Sequence, residues 1–475
     1  MLFFIDLSDS HVIEFFLQSY IFHKSGVNFL TQQRLKKEIG FFAALTTVVG
    51  TVIGAGVFFK PTAIYGITGT ASLGLLAWIL GGLLTICAGL TVAELSAAIP
   101  ETGGMMTYLK RVYGNLTAFL LGWAQTIIYL PAVLAALAII FGTQAVNLFG
   151  LNPNENQLLV VGVAAIIATF VTLMNFLGAK AAAGIQIVST ISKFLPLALI
   201  IIFGLLNNNQ VSFQLFPIEA GPEKSFIPAL GSALLATMFS YDAWIHVGNI
   251  GGEMKNPRRD LPKSIILGLS IIMIVYLLIN IAFLMVMPAT ALAETATPAS
   301  DVATIIFGAM GGKLISIGIL ISVFGTINGI ILTGMRIPYV MAIEKKLPFS
   351  KWFATLSNKN KIPYNCGLFI LLISVVMMLV GGFNTLTDML VFVIWMFYTL
   401  TFLSVIILRK KEPQLVRIYK VPLYPFVPVL ALLGGLFIVL NTLFTQPFLA
   451  LCGMGLTFSG LPLYFIILRK QTSKI

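Results

Sequence analysis

The chain has 475 residues, of which 58% are hydrophobic and only 10% are charged. This composition supplies too little polar surface for an ordinary soluble domain and predicts a polytopic membrane protein. The formal net charge of +12 is interpreted as a topology signal and not as a sign of nucleic-acid binding, because membrane proteins concentrate Lys and Arg in their cytoplasmic segments.

Residues 1–39 precede the first long apolar run and fit neither a signal peptide nor a spanning helix. Asp6, Asp9, His11 and Glu14 interrupt the apolar stretch before it is long enough for either. Two interpretations of this N-terminal cytoplasmic extension stay open. It is an interfacial amphipathic helix, or it is an extension upstream of the true start with no fixed structure.

Twelve apolar runs follow, and runs of about 20 residues suit the roughly 30 Å hydrocarbon thickness of a bilayer. In chain order they are 40–66, 71–98, 115–149, 157–177, 183–206, 226–251, 262–287, 311–343, 364–381, 384–408, 425–443 and 447–469. A bundle of this size is typical of transporters. We therefore predict an all-α integral membrane protein with 12 transmembrane helices.

The basic residues give the orientation. If the N-terminus is cytoplasmic, all of the 29 Lys and Arg residues lie on the cytoplasmic side except Lys60, Lys193, Lys224 and Lys313. Both termini are therefore predicted to be cytoplasmic.

The three cysteines lie in or beside apolar segments, at Cys87, Cys366 and Cys452. Neither a disulfide framework nor a metal site is expected from this placement, and the cysteines are interpreted as packing residues. No cofactor is expected.

Two apolar segments contain stretches where helical continuity is doubtful, and they lie five segments apart. Segment 1 carries three glycines within GTVIGAGVFF (residues 50–59), and segment 6 places Ser240 and Asp242 within MFSYDAW. A broken helix at the start of each of two five-helix halves is typical of inverted-repeat transporters. The predicted organisation is a first repeat, a second repeat and a peripheral pair of helices, at 40–206, 226–408 and 425–469.

The glycines of segment 1 predict a substrate site. In hydrocarbon an unwound segment persists only where it lines a protein-enclosed cavity or contacts a ligand, and Gly50, Gly54 and Gly56 permit unwinding and close approach to the backbone. The two ends of a broken helix offer N–H groups and carbonyls, which match the carboxylate and ammonium of an α-amino acid. The alternative is a small-xxx-small pair, Gly50 and Gly54, that only lets two helices pack closely. The second irregular segment favours a site.

Several motifs resemble those of one family. The longest is FSYDAWIHVGNIGGEMKNPRRDLPKSI (residues 239–265), with the pattern F-x-Y-D-x-W, then E-M-x-N-P, then L-P. The others are VIGAGVF, AELSAAIPETGGMMTYLKRVYG, IVYLLINIAF, GTINGIILTGMRIPYVMAIEKKLP and LRKKEPQLVRIYKVPLYP. From about residue 36 to 470 the chain resembles the amino acid–polyamine–organocation superfamily and, within it, the L-type amino acid transporters and their bacterial relatives.

This resemblance implies a 5+5 inverted repeat with helices 1 and 6 unwound, alternating access, and obligatory exchange of amino acids without sodium. Carried over residue by residue, the substrate-binding set is the backbone of Ile53, Gly54, Ala55 and Gly56 for the carboxylate, the carbonyls of Val49 and Phe239 for the ammonium, and Ser240 and Tyr241 at the side-chain end.

Lys193 in segment 5 matches a lysine that the family commonly carries. An ammonium at membrane depth is costly unless it is paired or faces a polar cavity. By resemblance it would lie against the unwound part of helix 1 and the eighth helix, as a fixed surrogate for a sodium ion. The alternative is a lysine that snorkels to the interface.

Tyr276 and Asn280 lie four residues apart on one face of segment 7 and match the family's Y-L-L-x-N pattern. Tyr276 is expected to close or shape the site. The alternative is a phenol packed in the bundle interior with one hydrogen bond.

Glu94, Asp242 and Arg336 are charges near the cytoplasmic halves of segments 2, 6 and 8, where such groups are expected to pair. A carboxylate–arginine pair that forms only when the inside is closed would be a gate, whereas static pairing leaves the same pattern. His246 is expected to be a packing or hydrogen-bonded residue rather than a proton carrier.

Two departures from the family refine the expectation. The loop GLNPNENQ (residues 150–157) lacks the cysteine that tethers a glycoprotein partner in animal L-type members, so no covalent heavy-chain partner is expected. Ala243 and Ile245 replace a glycine and an asparagine common in animal members with large substrates, which favours alanine, serine, cysteine or threonine.

The leading hypothesis is therefore a sodium-independent antiporter of small neutral L-amino acids in a bacterial inner membrane. A proton-coupled symporter on the same fold differs from it by requiring Lys193 to lose its proton during the cycle. A non-transporting receptor is the remaining alternative. An enzyme is not expected, because the sequence has no Ser-His-Asp set, no HExxH and no phosphate loop.

Overall fold

The computed structural model describes residues 40–99, 104–177, 179–207, 213–245, 254–358 and 362–472. The N-terminal extension and His246 lie outside the described residues. The described residues fold mainly into α-helices.

The helices are numbered here in chain order. They are α1 (Phe41–Val52), α2 (Gly56–Thr68), α3 (Ala71–Ala98), α4 (Met105–Tyr113), α5 (Asn115–Ala124), α6 (Leu130–Leu148), α7 (Gln157–Phe176), α8 (Ala179–Leu205), α9 (Phe226–Ser240), α10 (Pro257–Val286), α11 (Ala289–Glu294), α12 (Pro298–Gly334), α13 (Arg336–Ile343), α14 (Ser350–Phe353), α15 (Tyr364–Val380), α16 (Phe383–Lys411), α17 (Phe426–Thr445), α18 (Pro447–Phe458) and α19 (Gly460–Thr472).

Two helices contain local irregularities. A π-helical turn, Gln125–Tyr129, joins α5 to α6, and such turns occur frequently at functional sites. In α12, Gly308 has φ 73° and ψ 177°, a conformation that suits glycine and kinks the helix. The helix therefore starts earlier than segment 8 was predicted to start, and bends.

The described residues confirm a multi-pass membrane protein. Eight helical runs are long and apolar enough to cross a bilayer, and α1 with α2 forms a bent pair that passes the same test together. Three shorter apolar helices are Ser192–Leu205, Phe226–Ser240 and Tyr364–Val380. Each predicted apolar segment coincides with one of these helices, while the count of twelve spans and the inverted repeat stay predictions.

Burial separates the centre of the bundle from its periphery. The run from α5 to α6 is the most buried of the long apolar runs, and α7, α17 and the run from α18 to α19 are the least buried. Helix α3 packs extensively on α10, and α8 packs extensively on α12. Helix α2 packs on α9, so the two helices with predicted breaks lie against each other.

Candidate substrate site

The first helix breaks where the glycines predict. Helix α1 ends at Val52, α2 begins at Gly56, and the two helices are bent by 44°. Ile53 has φ −68° and ψ 96°, an extended conformation that takes the chain out of the helix. No side chain caps the N-terminus of α2. The backbone between the two helices is buried, so a ligand is a suitable partner for its polar groups.

The second predicted break falls at the end of α9. The helix ends at Ser240, and Tyr241 follows with φ −92° and ψ 6°. Ala243 has φ 73°, a left-handed conformation that is unfavourable for a residue with a Cβ. The chain therefore leaves the helix within MFSYDAW, while an unwound segment between two halves of helix 6 stays a prediction. The continuation at 246–253 lies outside the described residues.

The two breaks meet at Gly56. A Cβ built on Gly56 would lie 2.7 Å from the Ser240 Oγ and 2.9 Å from the Ser240 Cα. Only glycine permits this approach without a backbone shift. Gly54 differs, because the nearest atom to a Cβ there is 3.8 Å away, in Thr326 or Val52. Gly56 thus allows close contact between α2 and Ser240, whereas Gly54 has space for a Cβ beside it.

Tyr276 of α10 joins the two breaks through their carbonyls. Its Oη lies 3.0 Å from the Val52 oxygen and 2.9 Å from the Ser240 oxygen. The phenol carries one proton, so it donates to one carbonyl at a time. The structure places Tyr276 between the predicted site segments. Asn280, one turn later on α10, donates to the Tyr276 carbonyl at 2.8 Å.

The two carbonyls assigned to the substrate ammonium already accept backbone hydrogen bonds. The Val49 oxygen accepts from the Ile53 N–H at 3.0 Å, and the Phe239 oxygen accepts from the Asp242 N–H at 3.4 Å. A carbonyl oxygen has two lone pairs, so the Val49 oxygen retains one for a further donor, whereas the Phe239 oxygen also accepts from the Tyr241 N–H at the helix end.

Trp78 completes an aromatic cluster that the sequence analysis did not identify. Its ring lies edge-on to Tyr241 and Tyr276, with centroids at 5.9 Å and 5.6 Å. Tyr241 donates to the Trp78 carbonyl at 3.1 Å. The Trp78 indole N–H and the Ser240 hydroxyl have no hydrogen-bond partner among the described residues. Two buried polar groups near the breaks are thus left for a ligand or water to satisfy.

Lys193 is 4% exposed and donates to the carbonyl of Gly50 in α1. Its ammonium is therefore directed into the bundle and not to the interface, so the snorkelling alternative does not describe this structure. On the same helix, Ser189 lies against Gly325 of α12. The lysine thus sits beside helix 1, on a helix that packs on the eighth segment, while its role as a cation surrogate stays a prediction.

Lys60, for which the sequence analysis assigned no role, is fully buried on α2. Its Nζ lies 2.7 Å from the Thr387 Oγ1 and 3.1 Å from the Asp388 Oδ1 of α16. The rule on intramembrane ammonium groups that singled out Lys193 applies equally to Lys60, so the signal was present in the sequence.

The three predicted gate residues are not brought together. Glu94 accepts two hydrogen bonds from Arg409, at 2.9 Å and 2.6 Å. Asp242 accepts from Tyr129 at 2.7 Å and from Tyr398 at 2.8 Å. Arg336 is exposed, and among the described residues it pairs with neither carboxylate. The gate formed by these three residues stays a prediction.

The loop after α16 folds back onto Glu94. Arg417 lies 3.4 Å from the Glu94 carboxylate, and the Val421 N–H donates to it at 2.8 Å. In this loop, burial and then the Glu94 charge raise the pKa of Tyr419 to about 12. The LRKKEPQLVRIYKVPLYP motif is therefore a clamp on the end of α3.

A multi-pass helical protein in which a broken helix meets the end of a second helix at a buried site has the architecture of a membrane transporter. The sequence model of the amino acid permease family matches residues 39–467. The chain belongs to this family.

Three relatives show the range of the family. The serine/threonine exchanger SteT of Bacillus subtilis (strain 168) is 41% identical over 444 residues, which cover 92% of this chain and 98% of the relative. Large neutral amino acids transporter small subunit 2 of Mus musculus is 30% identical over 441 residues, which cover 91% and 81%. The cystine/glutamate transporter of Homo sapiens is 28% identical over 435 residues, which cover 92% and 86%.

Proposed function

We propose that the protein is a sodium-independent antiporter of small neutral L-amino acids such as alanine, serine, cysteine and threonine, working by alternating access. The similarity to an exchanger of serine and threonine supports the substrate class. The observation that carries sodium independence is the buried Lys193 ammonium on the Gly50 carbonyl. A fixed positive charge there supplies the electrostatic partner that a bound sodium ion supplies elsewhere.

In this proposal the amino acid binds between the two breaks. Its carboxylate faces the backbone of residues 53–56, and its ammonium faces the Val49 and Phe239 carbonyls. Ser240 and Tyr241 line the side-chain end, where the unpartnered Ser240 hydroxyl supports recognition of a small polar substituent. Tyr276, which donates to the Val52 or the Ser240 carbonyl, shapes the site between the two segments.

The proposal includes the membrane topology. Twelve helices are arranged as two inverted repeats, 40–206 and 226–408, with a peripheral pair at 425–469 and an extension at 1–39. Both termini lie in the cytoplasm, and the protein acts in a bacterial plasma membrane. The loop 150–157 carries no cysteine, which supports transport without a covalently attached heavy chain.

The test is uptake of radiolabelled L-alanine into sodium-free proteoliposomes, with the lumen empty or loaded with unlabelled L-serine. Exchange predicts strong uptake only into loaded vesicles, because the empty carrier rarely reorients. Equal uptake into empty vesicles contradicts the antiporter. In that case Lys193→Ala distinguishes a proton-coupled carrier, since the pH dependence of its uptake disappears with the amine. Lys313→Gln, at an exposed lysine, is the matched charge control.

Gly56 and Gly54 provide a matched pair of variants that test the contact between α2 and Ser240 of α9. We expect Gly56→Ala to abolish exchange and to lower the thermal stability of the purified protein, because its Cβ collides with Ser240. Gly54→Ala should retain the thermal stability of the parent protein, since its Cβ has no neighbour closer than 3.8 Å. Equal thermal stabilities for the two variants would show that the breaks do not need this contact.

A further inference from the structure

Lys60 connects α2 to α16 through one buried ammonium. It lies one helical turn beyond Gly56 on α2, and on α16 it contacts the side-chain oxygens of Asn384, Thr387 and Asp388 at 3.3, 2.7 and 3.1 Å. The second Asp388 oxygen accepts from Gln446 at 3.3 Å. The ammonium thus has three oxygen partners, which matches its three N–H donors.

Two phenylalanine rings cover the ammonium. The Nζ lies 5.7 Å from the ring centroid of Phe239 in α9 and 5.1 Å from that of Phe383 in α16. The two rings contact each other edge-on at 5.5 Å. Both distances suit a cation–π contact. Phe239 is also the residue before Ser240, so this cluster lies directly beside the proposed substrate site.

A buried ion pair is a poor choice if the only purpose is stability. Taking both charges out of water is costly, and a well-packed apolar pair of similar volume often stabilises a protein as well or better. A buried ion pair is more suitable than an apolar contact where the two partners separate during function. An open route contains water, which solvates a released ammonium and carboxylate, whereas it would not solvate an exposed apolar pair.

We infer that Lys60 and Asp388 close the α2 side of the route to the substrate site, and that the pair separates when this route opens. The inference rests on the proposed function, and in the proposed orientation this is the extracellular side. Helix α2 then moves relative to α16, and the Phe239–Phe383 contact opens with it. The pair is a positioning element and does not bind the amino acid.

The experiment measures access to a buried reporter in the absence of substrate. In a background where Cys87, Cys366 and Cys452 are replaced, Val57→Cys places a thiol three residues from Lys60 toward the break. Val57 is fully buried. A membrane-impermeant thiol reagent is added to intact cells, and the rate of labelling is measured for the parent, Lys60→Gln, Asp388→Asn and Lys313→Gln.

We expect Lys60→Gln and Asp388→Asn to raise the labelling rate about tenfold, because each removes one charge of a buried pair. Lys313→Gln should label at the parent rate. Lys60→Arg retains a cation and should also stay near the parent rate. If both neutral variants label as slowly as the parent, the inference is wrong.

Folding is checked by size-exclusion chromatography of each variant. If one neutral variant does not fold, the other decides the result, and Lys60→Met with Asp388→Leu replaces the ion pair by an apolar contact. That double variant should label slowly and exchange slowly, because its contact does not open into water. Labelling needs no substrate, so its outcome is independent of the exchange assay. The two assays therefore separate two failures. Exchange without faster labelling of the neutral variants contradicts the role of the Lys60–Asp388 pair, and faster labelling without exchange contradicts the antiporter.

Discussion

Two charge clusters hold the bundle together near opposite ends of α16, and they use different chemistry. On the α2 side, Lys60 is fully buried and the Asp388 side chain is 11% exposed. On the other side, Glu94 binds Arg409, whose side chain is 21% exposed, and Arg417. An arginine fork fixes a carboxylate in one geometry, whereas a lysine ammonium is a point charge on a flexible stem. The contrast indicates a static clamp at Glu94 and a releasable contact at Lys60.

The number of donors strengthens this contrast. Glu94 accepts from both nitrogens of the Arg409 fork and from the Val421 N–H. Arg409 also lies 3.7 Å from the ring centroid of Tyr424. Three parts of the chain converge on Glu94: the end of α3, the end of α16 and the loop that follows. Separating them would require several interactions to break together, which is unsuitable for a step repeated in every transport cycle.

The largest effect on stability is expected for Glu94→Gln. The amide cannot balance two guanidinium groups, so the free energy of unfolding should fall by about 3–5 kcal/mol. Thermal unfolding of the purified protein measures the loss, and trypsin cleavage after Arg417 or Lys420 should accelerate because the loop is released. Glu155→Gln is the control, since Glu155 is exposed and accepts from the neighbouring Asn152. If Glu94→Gln is as stable as the parent protein and its loop stays protected from trypsin, the Glu94 cluster is not a static contact and does not differ in this way from the Lys60–Asp388 pair.

A smaller effect is expected at the other cluster. Lys60→Met leaves the Asp388 carboxylate without its ammonium, which should cost about 2–3 kcal/mol. Adding Asp388→Leu should return the unfolding free energy to within about 1 kcal/mol of the parent protein, because an apolar pair replaces the ion pair. Thermal unfolding of the single and double variants measures both changes. A double variant no more stable than the single variant would show that the pair is needed for the fold.

The sequence predicted the broken helices because their signals are local. Three glycines and a polar MFSYDAW stretch within apolar runs correspond to a helix break at Ile53 and a helix end at Ser240. Lys193 was identified for the same reason, since a single charge in an apolar run is visible without any partner. These features depend on a residue and its immediate neighbours.

Partner choice could not be predicted from the sequence. Glu94 and Arg409 are 315 residues apart in the chain, and Lys60 and Asp388 are 328 apart. The sequence offers several basic residues as partners for each carboxylate, and the family motifs do not show which of them forms the pair. Arg336 was therefore chosen for the gate, while in the structure Glu94 binds Arg409. The helix packing that decides such pairs is a property of the whole bundle.

The smallest effect is expected at the exposed end of the clamp, where Arg111 binds Glu412. The Nε and Nη2 atoms of Arg111 lie 3.1 Å and 2.5 Å from the Glu412 carboxylate, and both side chains are 35% exposed. Exposed pairs of this kind contribute less than about 1 kcal/mol. Arg111→Gln should therefore lower the melting temperature only slightly, and added salt should reduce the difference.

The pH dependence of this pair has a definite sign. The hydrogen bond from Arg111 lowers the pKa of Glu412 below its usual range, so the folded state binds a proton there less readily than the unfolded state does. The stabilisation is present above the unfolded pKa of about 4.3 and is lost as the pH falls through the lower folded value. Melting temperatures of the parent protein and Arg111→Gln should thus differ near neutral pH and converge in acid. A difference that persists in acid would assign the effect to the packing of Arg111 and not to its charge.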